Sequence, residues 1–411
     1  MDYCTPKGMR DFLPDEMRRR ECAIDAIRRA YKKYGFVPID TPALENVEVL
    51  ERKCGAEIKG QLFRMDDGKL ALRFDLTVPL ARVASSNTFR KPFKRYCIGP
   101  VWRKEEPQKG RFREFLQADA DIIGCNTMRA EAELIACASD AICALGFSGA
   151  IVRINDRRII SKIAEGLMKG KEGEMLRVLD KREKIGDAAV VEMLAAIGAD
   201  RKSAERLLSE ISLEDSNENK LKVAARYSPE AASDLRQVIE LVEEYGVETV
   251  VEVDFSLVRG LDYYTGPIFE ISLGKEMGSV AGGGRYDGLL SMYGQGDSAV
   301  GISLGIERLL ALMEKKPQGR SGVFVACVKD ESYLYALRVA SALRKAGVEV
   351  QTDLNARSFK KQLEHAASSC AFLAVVGERE EKEKKVMLKN LVSGEEKSVF
   401  VKDAALLILG A

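Results

Sequence analysis

The sequence predicts an α+β fold: an antiparallel sheet flanked by helices, interrupted by a helical insertion and followed by a small C-terminal α/β domain. Three observations carry this expectation. Between about 60 and 125, short apolar runs alternate with turns in "KLALRFDL", "FKRYCIGPVWRKEE" and "REFLQADADIIG", the pattern of strands and hairpins. From about 157 to 245 the chain becomes charge-dense and rich in alanine and leucine at helical spacing, as in "ASDLRQVIELVEEYG". After the polar "KKPQGRSG", strand, helix, strand, helix and strand follow in order, which is the sequence of a small parallel α/β unit.

The elements can be justified in turn. "EMRRRECAIDAIRRAYKKY" places Met17, Ile24, Ile27 and Tyr31 on one helical stripe, and Gly35 ends the helix. "FVPIDTPALE" reads as extended because Pro38 and Pro42 cannot sit within a continuing helix. "QLFRMDD" reads as a further strand, "LTVPLARVASS" and "TMRAEAELIACASDAICALGF" as helices, and "GAIVRIND" as a strand. Strand character returns in "VETVVEVDFSLVRG" and runs through "PIFEISL" to "VAGGGRYDGLL"; "SLGIERLLALMEKK" reads as the closing helix. The expected division is 1–156 and 246–316 for the two halves of the sheet domain, 157–245 for the helical insertion and 322–411 for the C-terminal domain. In the last, "GVFVACV", a helix near 331–346, "VEVQTD", a helix near 357–369 and "AFLAVVG" alternate.

Lys plus Arg (64) nearly cancels Asp plus Glu (63), which argues against a polybasic mode of partner binding. Nine cysteines without a C-x-x-C pair read as reduced thiols of a cytoplasmic protein. No apolar stretch is long enough for a membrane span, and the first residues contain no signal-like apolar core. The single histidine, His365, excludes a Ser-His-Asp triad elsewhere in the chain, an H-E-x-x-H site and any multi-histidine metal centre. It reads as a surface or satisfied histidine of a C-terminal helix. No protein metal site is expected, and any chemistry must run on carboxylates, arginines, hydroxyls and backbone dipoles.

Three arginines stand out by context. Arg103 lies where a strand runs into a polar loop, Arg259 opens "RGLDYYTG", and Arg308 sits near the start of a helix in "GISLGIERLL". Guanidinium forks match phosphate and carboxylate oxygens two at a time, so the three together suggest an anionic ligand. "AGGGRYDG" permits close backbone approach, but it is neither a P-loop nor a G-x-G-x-x-G fingerprint, and a tight turn explains it equally well.

Longer stretches carry a resemblance. "KGMRDFLPDE", "YGFVPIDTPALE", "YCIGPVWRKEEPQKGRFREFLQADADIIG" and "AVGISLGIERLLALM" resemble the N-terminal signature and motifs 1, 2 and 3 of the histidyl-tRNA synthetases, a class II aminoacyl-tRNA synthetase family. "VRGLDYYTG" and "AGGGRYDGL" look like that family's two histidine signatures. The resemblance implies a class II catalytic domain, an anticodon-binding C-terminal domain and a homodimer built on motif 1. It implies activation of histidine by ATP to histidyl-adenylate and pyrophosphate, then transfer to the 3′ end of tRNA(His), with Mg²⁺ on the ATP phosphates.

By the same resemblance Arg103 and Arg259 hold the α-phosphate and the incoming carboxylate, and Arg308 grips the γ-phosphate side of ATP. Glu105 reads adenine, and Arg111 reaches the β- and γ-phosphates or orders the motif 2 loop. Asp75 and Thr77 take the α-amino group, with Gln117 adjacent. Tyr264 and Asp121 read the imidazole, while Tyr263 and Tyr286 form walls or support. The helical insertion would meet the tRNA acceptor stem. The rival within the resemblance is the regulatory subunit of ATP phosphoribosyltransferase, which binds histidine without charging tRNA; other class II synthetases and a nucleotide-binding scaffold are weaker rivals.

Overall fold

The computed structural model describes residues 3–52, 59–107, 111–258, 263–274, 278–294, 296–314 and 322–410. The chain divides into two compact units, Met1–Glu314 and Lys315–Ala411.

The first unit is organised by a sheet of eight strands: β1 (Val37–Pro38), β4 (Phe93–Trp102), β5 (Glu114–Ile123), β6 (Ala150–Asp156), β7 (Thr249–Val253), β8 (Pro267–Ser272), β9 (Ala281–Arg285) and β10 (Ala299–Gly305). A separate two-stranded ribbon pairs β2 (Leu44–Asn46) with β3 (Leu70–Leu72). The order across the large sheet is β1-β4-β5-β10-β9-β8-β6-β7. Its inner pairings are antiparallel, as the alternating sequence predicts, whereas the two outermost, β1 with β4 and β6 with β7, are parallel. Helix-bearing connections separate the members of each parallel pair, and such crossovers are what parallel neighbours require.

The helix Pro14–Lys33 buries Ala23, Ala26, Ile27, Ala30 and Tyr31, and Gly35 takes a positive φ of 76° just beyond it. Tyr31 reaches across to donate its hydroxyl proton to the Ala118 carbonyl of β5, at 2.8 Å. Helix Arg129–Cys143 is buried along most of its length, and its alanines let it lie close to the sheet. Between β6 and β7 the chain is helical from Arg157 to Tyr245, and the apolar faces of these helices continue the core of the sheet.

Two local expectations change. "QLFRMDD" forms only an isolated bridge between Arg64 and Ala71, because Asp67 accepts from the Lys69 N–H and turns the chain. "SLG" at 303–305 belongs to β10, and the helix begins only at Ile306 and ends at Leu312. Apolar periodicity does not separate a strand from the helix that directly follows it.

In the second unit, β11 (Val323–Cys327) lies between parallel neighbours β12 (Val350–Thr352) and β13 (Phe372–Val376). Helices Tyr333–Lys345 and Phe359–Ser369 make the connections. The sheet then continues in antiparallel β14 (Lys385–Asn390) and β15 (Glu396–Phe400), a hairpin absent from the sequence reading. Its charged, half-exposed strands hide the alternation; its turn is made by Asn390, whose side-chain oxygen accepts from the Val392 and Ser393 N–H groups, and by Gly394 at positive φ. His365 packs edge-on to Phe324 at 5.4 Å between ring centroids, and no role in the chemistry is assigned to it.

Candidate active site

One face of the sheet is built in rows. Side chains directly opposite in neighbouring strands share a face, so the register fixes who meets whom. Arg95 of β4, Asp121 of β5, Gly301 of β10 and Gly284 of β9 form one row. Cys97, Asp119, Ser303 and Gly282 form the next, and Gly99, Gln117 and Gly305 a third. Polar side chains from β5 thus stand beside glycines: Gly282 and Gly305 leave a trough, whereas the space at Gly99, Gly284 and Gly301 is taken up by Arg73, Tyr264 and Asp121.

Two adjoining cavities fill it. The first, about 290 Å³, is lined by Arg103, Glu105, Arg111, Phe112, Phe115 and Arg308 among others. The second, about 250 Å³, is lined by Asp75, Thr77, Asp119, Asp121, Tyr263, Tyr264 and Tyr286 among others. Arg103, Gln117, Gly282 and Ser303 border both. Every site residue expected from the sequence therefore lines one cavity or the other, except Arg259, which lies outside the described residues.

The first cavity is cationic, with its arginines held from behind. Arg103 donates from Nε to the Phe74 carbonyl at 3.1 Å and lies 5.1 Å from the Phe115 ring centroid. Arg308, in the first turn of its helix, donates to the Ser279 carbonyl. Glu105 and Arg111 face each other at 4.0 Å. Glu307 is committed elsewhere: it accepts from the Leu116 N–H at 2.8 Å and from Arg20 at 2.7 Å. Burial pushes its carboxyl above the ordinary range, against the opposing pull of Arg20.

The start of the chain braces this cavity. The Arg10 guanidinium lies 3.4 Å from the Phe112 ring centroid, and Lys7 pairs with Glu106 at 2.7 Å. The Arg113 N–H donates to the Gly8 carbonyl, and a Cβ at Gly8 would collide with the Arg113 and Pro107 side chains. The segment "KGMRDF" thus braces Glu106, Pro107, Phe112 and Arg113, which flank the turn between β4 and β5.

The second cavity is anionic and hydroxyl-rich. Asp121 accepts a hydrogen bond from the Tyr286 hydroxyl and lies 2.7 Å from Arg95; the aspartate and arginine are 2 % and 1 % exposed. Burial raises the Asp121 pKa while Arg95 opposes the rise. Burial opposes the Arg95 charge, but Asp121 and Asp119 hold that charge above its ordinary range. Asp119 is pushed up to about 7 by burial and by Asp121, with Arg95 opposing. Asp75 is pushed up to about 6 by burial, although the Val78 N–H donates to it at 3.0 Å and Arg103 favours its charge. The Tyr263 hydroxyl donates to that of Tyr264 at 3.2 Å, and their rings lie 4.3 Å apart.

Gly301 tests this packing. A Cβ there would run into Asp121 Oδ1, a side chain that Arg95 and Tyr286 leave little room to move. Gly301→Ala should cost about 1–3 kcal/mol of stability, the range for overpacking a filled interior, read as a lower urea midpoint. An unchanged midpoint would show that Asp121 is free to swing aside.

The sequence reading missed Arg95, Asp119, Ser303 and the Arg10–Phe112 contact. A signal existed for Asp119: in "LQADADII", Gln117, Asp119 and Asp121 alternate with apolar residues, which puts three polar groups on one strand face. No such signal marks Arg95, one of two basic residues in "FKRYC".

An arginine-lined cavity thus opens onto one lined by carboxylates and tyrosines. The family model described as histidyl-tRNA synthetase matches residues 8–309, and that of an anticodon binding domain matches 322–409. A histidine–tRNA ligase of Aeropyrum pernix is 40% identical over 97% of this chain and 96% of its own length. Its counterpart in Cytophaga hutchinsonii is 37% identical over 95% and 96%. The crystal structure of a histidyl-tRNA synthetase from Nostoc sp. PCC 7120 superposes with a TM-score of 0.87 at 30% identity, covering 100% of this chain and 99% of that one. Fold, motifs and relatives converge: the chain belongs to the histidyl-tRNA synthetase family.

Proposed function

We propose that the protein activates L-histidine with ATP and transfers it to the 3′ end of tRNA(His). The observation that carries this reading is the seam between the two cavities, where Arg103 borders both the arginine-lined and the carboxylate-lined spaces. In-line attack of a carboxylate on the α-phosphate gathers negative charge at one point and needs little more from a protein than alignment and fixed positive charge. ATP would lie in the first cavity, its phosphates between Arg103, Arg111 and Arg308 and its adenine near Glu105 and Phe112. Histidine would lie in the second, its amino group toward Asp75 and Thr77 with Gln117 adjacent, and its ring among Tyr264, Asp121, Tyr263 and Tyr286. Arg259 is proposed as the partner of Arg103 on the family pattern alone.

Magnesium would enter with ATP. Among the described residues no three His, Cys, Asp or Glu side chains are grouped to hold a metal, and Glu307 is already occupied. This donor set fits an ion held chiefly by phosphate oxygens and water. The carboxylate of the amino acid is ionised at working pH, so no protein base is required for its attack.

The partners follow from the same reading. The second unit would bind the anticodon stem-loop and the helices of 157–245 the acceptor stem, with domain boundaries at 1–156, 157–245, 246–316 and 322–411. A homodimer would form over the segment 36–46, where Val37 and Leu44 are exposed. A cytoplasmic location is proposed from the reduced-thiol composition; none of the described helices is long and apolar enough to cross a membrane.

The test is ATP–pyrophosphate exchange with each standard amino acid in turn. Exchange is expected with histidine alone. Its absence with histidine at saturating MgATP would overturn the reading in favour of a regulatory histidine-binding paralogue.

A further inference from the structure

We propose that Asp119 is the acceptor for a ring N–H of the bound amino acid, and so the residue that sets its side-chain specificity. This deepens the histidine-activation reading and rests on it. Asp119 lines the second cavity and is 2 % exposed, yet its Oδ1 has no hydrogen-bond partner. An unsatisfied buried acceptor is costly, and the cost is recovered when a ligand supplies the missing donor.

The surrounding bonds fix which way this oxygen works. Gln117 donates from Nε2 to Ser303 Oγ at 2.6 Å, so the Ser303 hydroxyl proton is free to turn toward Asp119, its cross-strand partner. Asp119 Oδ1 is left without a donor. Asp121, two residues along the same strand face, differs in that its oxygen without a hydrogen bond is taken up by an ion pair. Its Oδ1 accepts from the Tyr286 hydroxyl, and its Oδ2 lies 2.7 Å from Arg95.

The adjacent carboxylates therefore differ in task. Asp121 holds Tyr286 and neutralises Arg95, while Asp119 faces Ser303 across the sheet and keeps Oδ1 for the ligand. Gly282, opposite Ser303 in the same row, leaves open the space a side chain on β9 would fill. Once the amino and carboxylate groups are placed, the only donors on histidine are its ring N–H groups. A phenyl or aliphatic side chain of similar size has none and would leave Asp119 Oδ1 unpaired, which is how a polar site rejects an apolar analogue.

The test is steady-state pyrophosphate exchange on Asp119→Asn and Ser303→Ala, with KM measured separately for histidine and for ATP. In Asp119→Asn a neutral amide replaces the carboxylate, so that one of its two acceptor oxygens becomes a donor. At pH 8, above the value of about 7 to which Asp119 is pushed, the KM for histidine should rise about 10- to 100-fold, the range for losing a hydrogen bond to a charged group, with the KM for ATP within two-fold of wild type. Ser303→Ala should raise the histidine KM by a smaller factor, and this variant carries the test if the first does not fold. A histidine KM unchanged in Asp119→Asn, or one that rises in step with that for ATP, would overturn the assignment while leaving histidine activation standing. Only an inactive wild-type protein would remove the parent reading.

Discussion

Arg103→Ala should lower histidine-dependent ATP–pyrophosphate exchange by about 10³-fold, mostly in kcat, with little change in stability. Arg103 is the cation at the seam of the two cavities, where the attacking carboxylate and the α-phosphate are proposed to meet. Its Nε is anchored by the Phe74 carbonyl and its plane lies near Phe115, so the group is oriented before substrates arrive. Charge on the non-bridging oxygens grows toward the transition state, and an interaction with that charge therefore appears in kcat more than in KM. The side chain is partly exposed, so its removal leaves no sealed cavity. Arg103→Lys should recover only part of the rate, since a point charge cannot replace a planar fork. A loss below ten-fold in Arg103→Ala would place the reacting atoms elsewhere.

The second large effect falls on stability. Arg95→Met should destabilise the first unit by about 3–5 kcal/mol near neutral pH, because it leaves Asp121 and Asp119 buried without their cation. Methionine fills much of the same volume, so the loss measures charge more than packing. The deficit should depend on pH in a defined sense. Both folded-state pKa values already lie above those of an unfolded chain, with Asp119 at about 7, and removing Arg95 raises them further. Protonation therefore favours the folded form fully below the unfolded pKa, near 4, and this contribution disappears as pH rises through the folded value. Urea midpoints at pH 5.5 and 8 should show a larger deficit for Arg95→Met at pH 8. An equal deficit at both would mean that the carboxylates are not what Arg95 serves.

Sequence and structure agree most where chemistry is written in long motifs. Arg103, Glu105, Arg111, Gln117 and Arg308 can be found in the chain because strand, loop and helix start each impose a visible residue order, and all five line the first cavity. The second cavity is less legible. Its decisive feature is which of two aspartates has an oxygen to spare, and that depends on Arg95, Ser303 and Tyr286 arriving from three other segments. Cross-strand register creates those meetings, and a linear reading shows only that Asp119 and Asp121 share a face. The hairpin of β14 and β15 is hard to read for a different reason: its strands alternate charge with weakly apolar residues, so burial gives little contrast.

The sheet order also governs when this site can exist during synthesis. β5 supplies Gln117, Asp119 and Asp121, but its partner β10 emerges only after the whole helical stretch and β6 to β9. Until then a nascent chain carries β5 paired on one side only, with an edge of unmet peptide groups beside buried carboxylates. Pairings of such high contact order form late and slowly, and the waiting edge is where a stalled or truncated chain would associate wrongly. Ligand binding at this seam therefore doubles as a report that the first unit has been completed, since no shorter piece of it can assemble both walls.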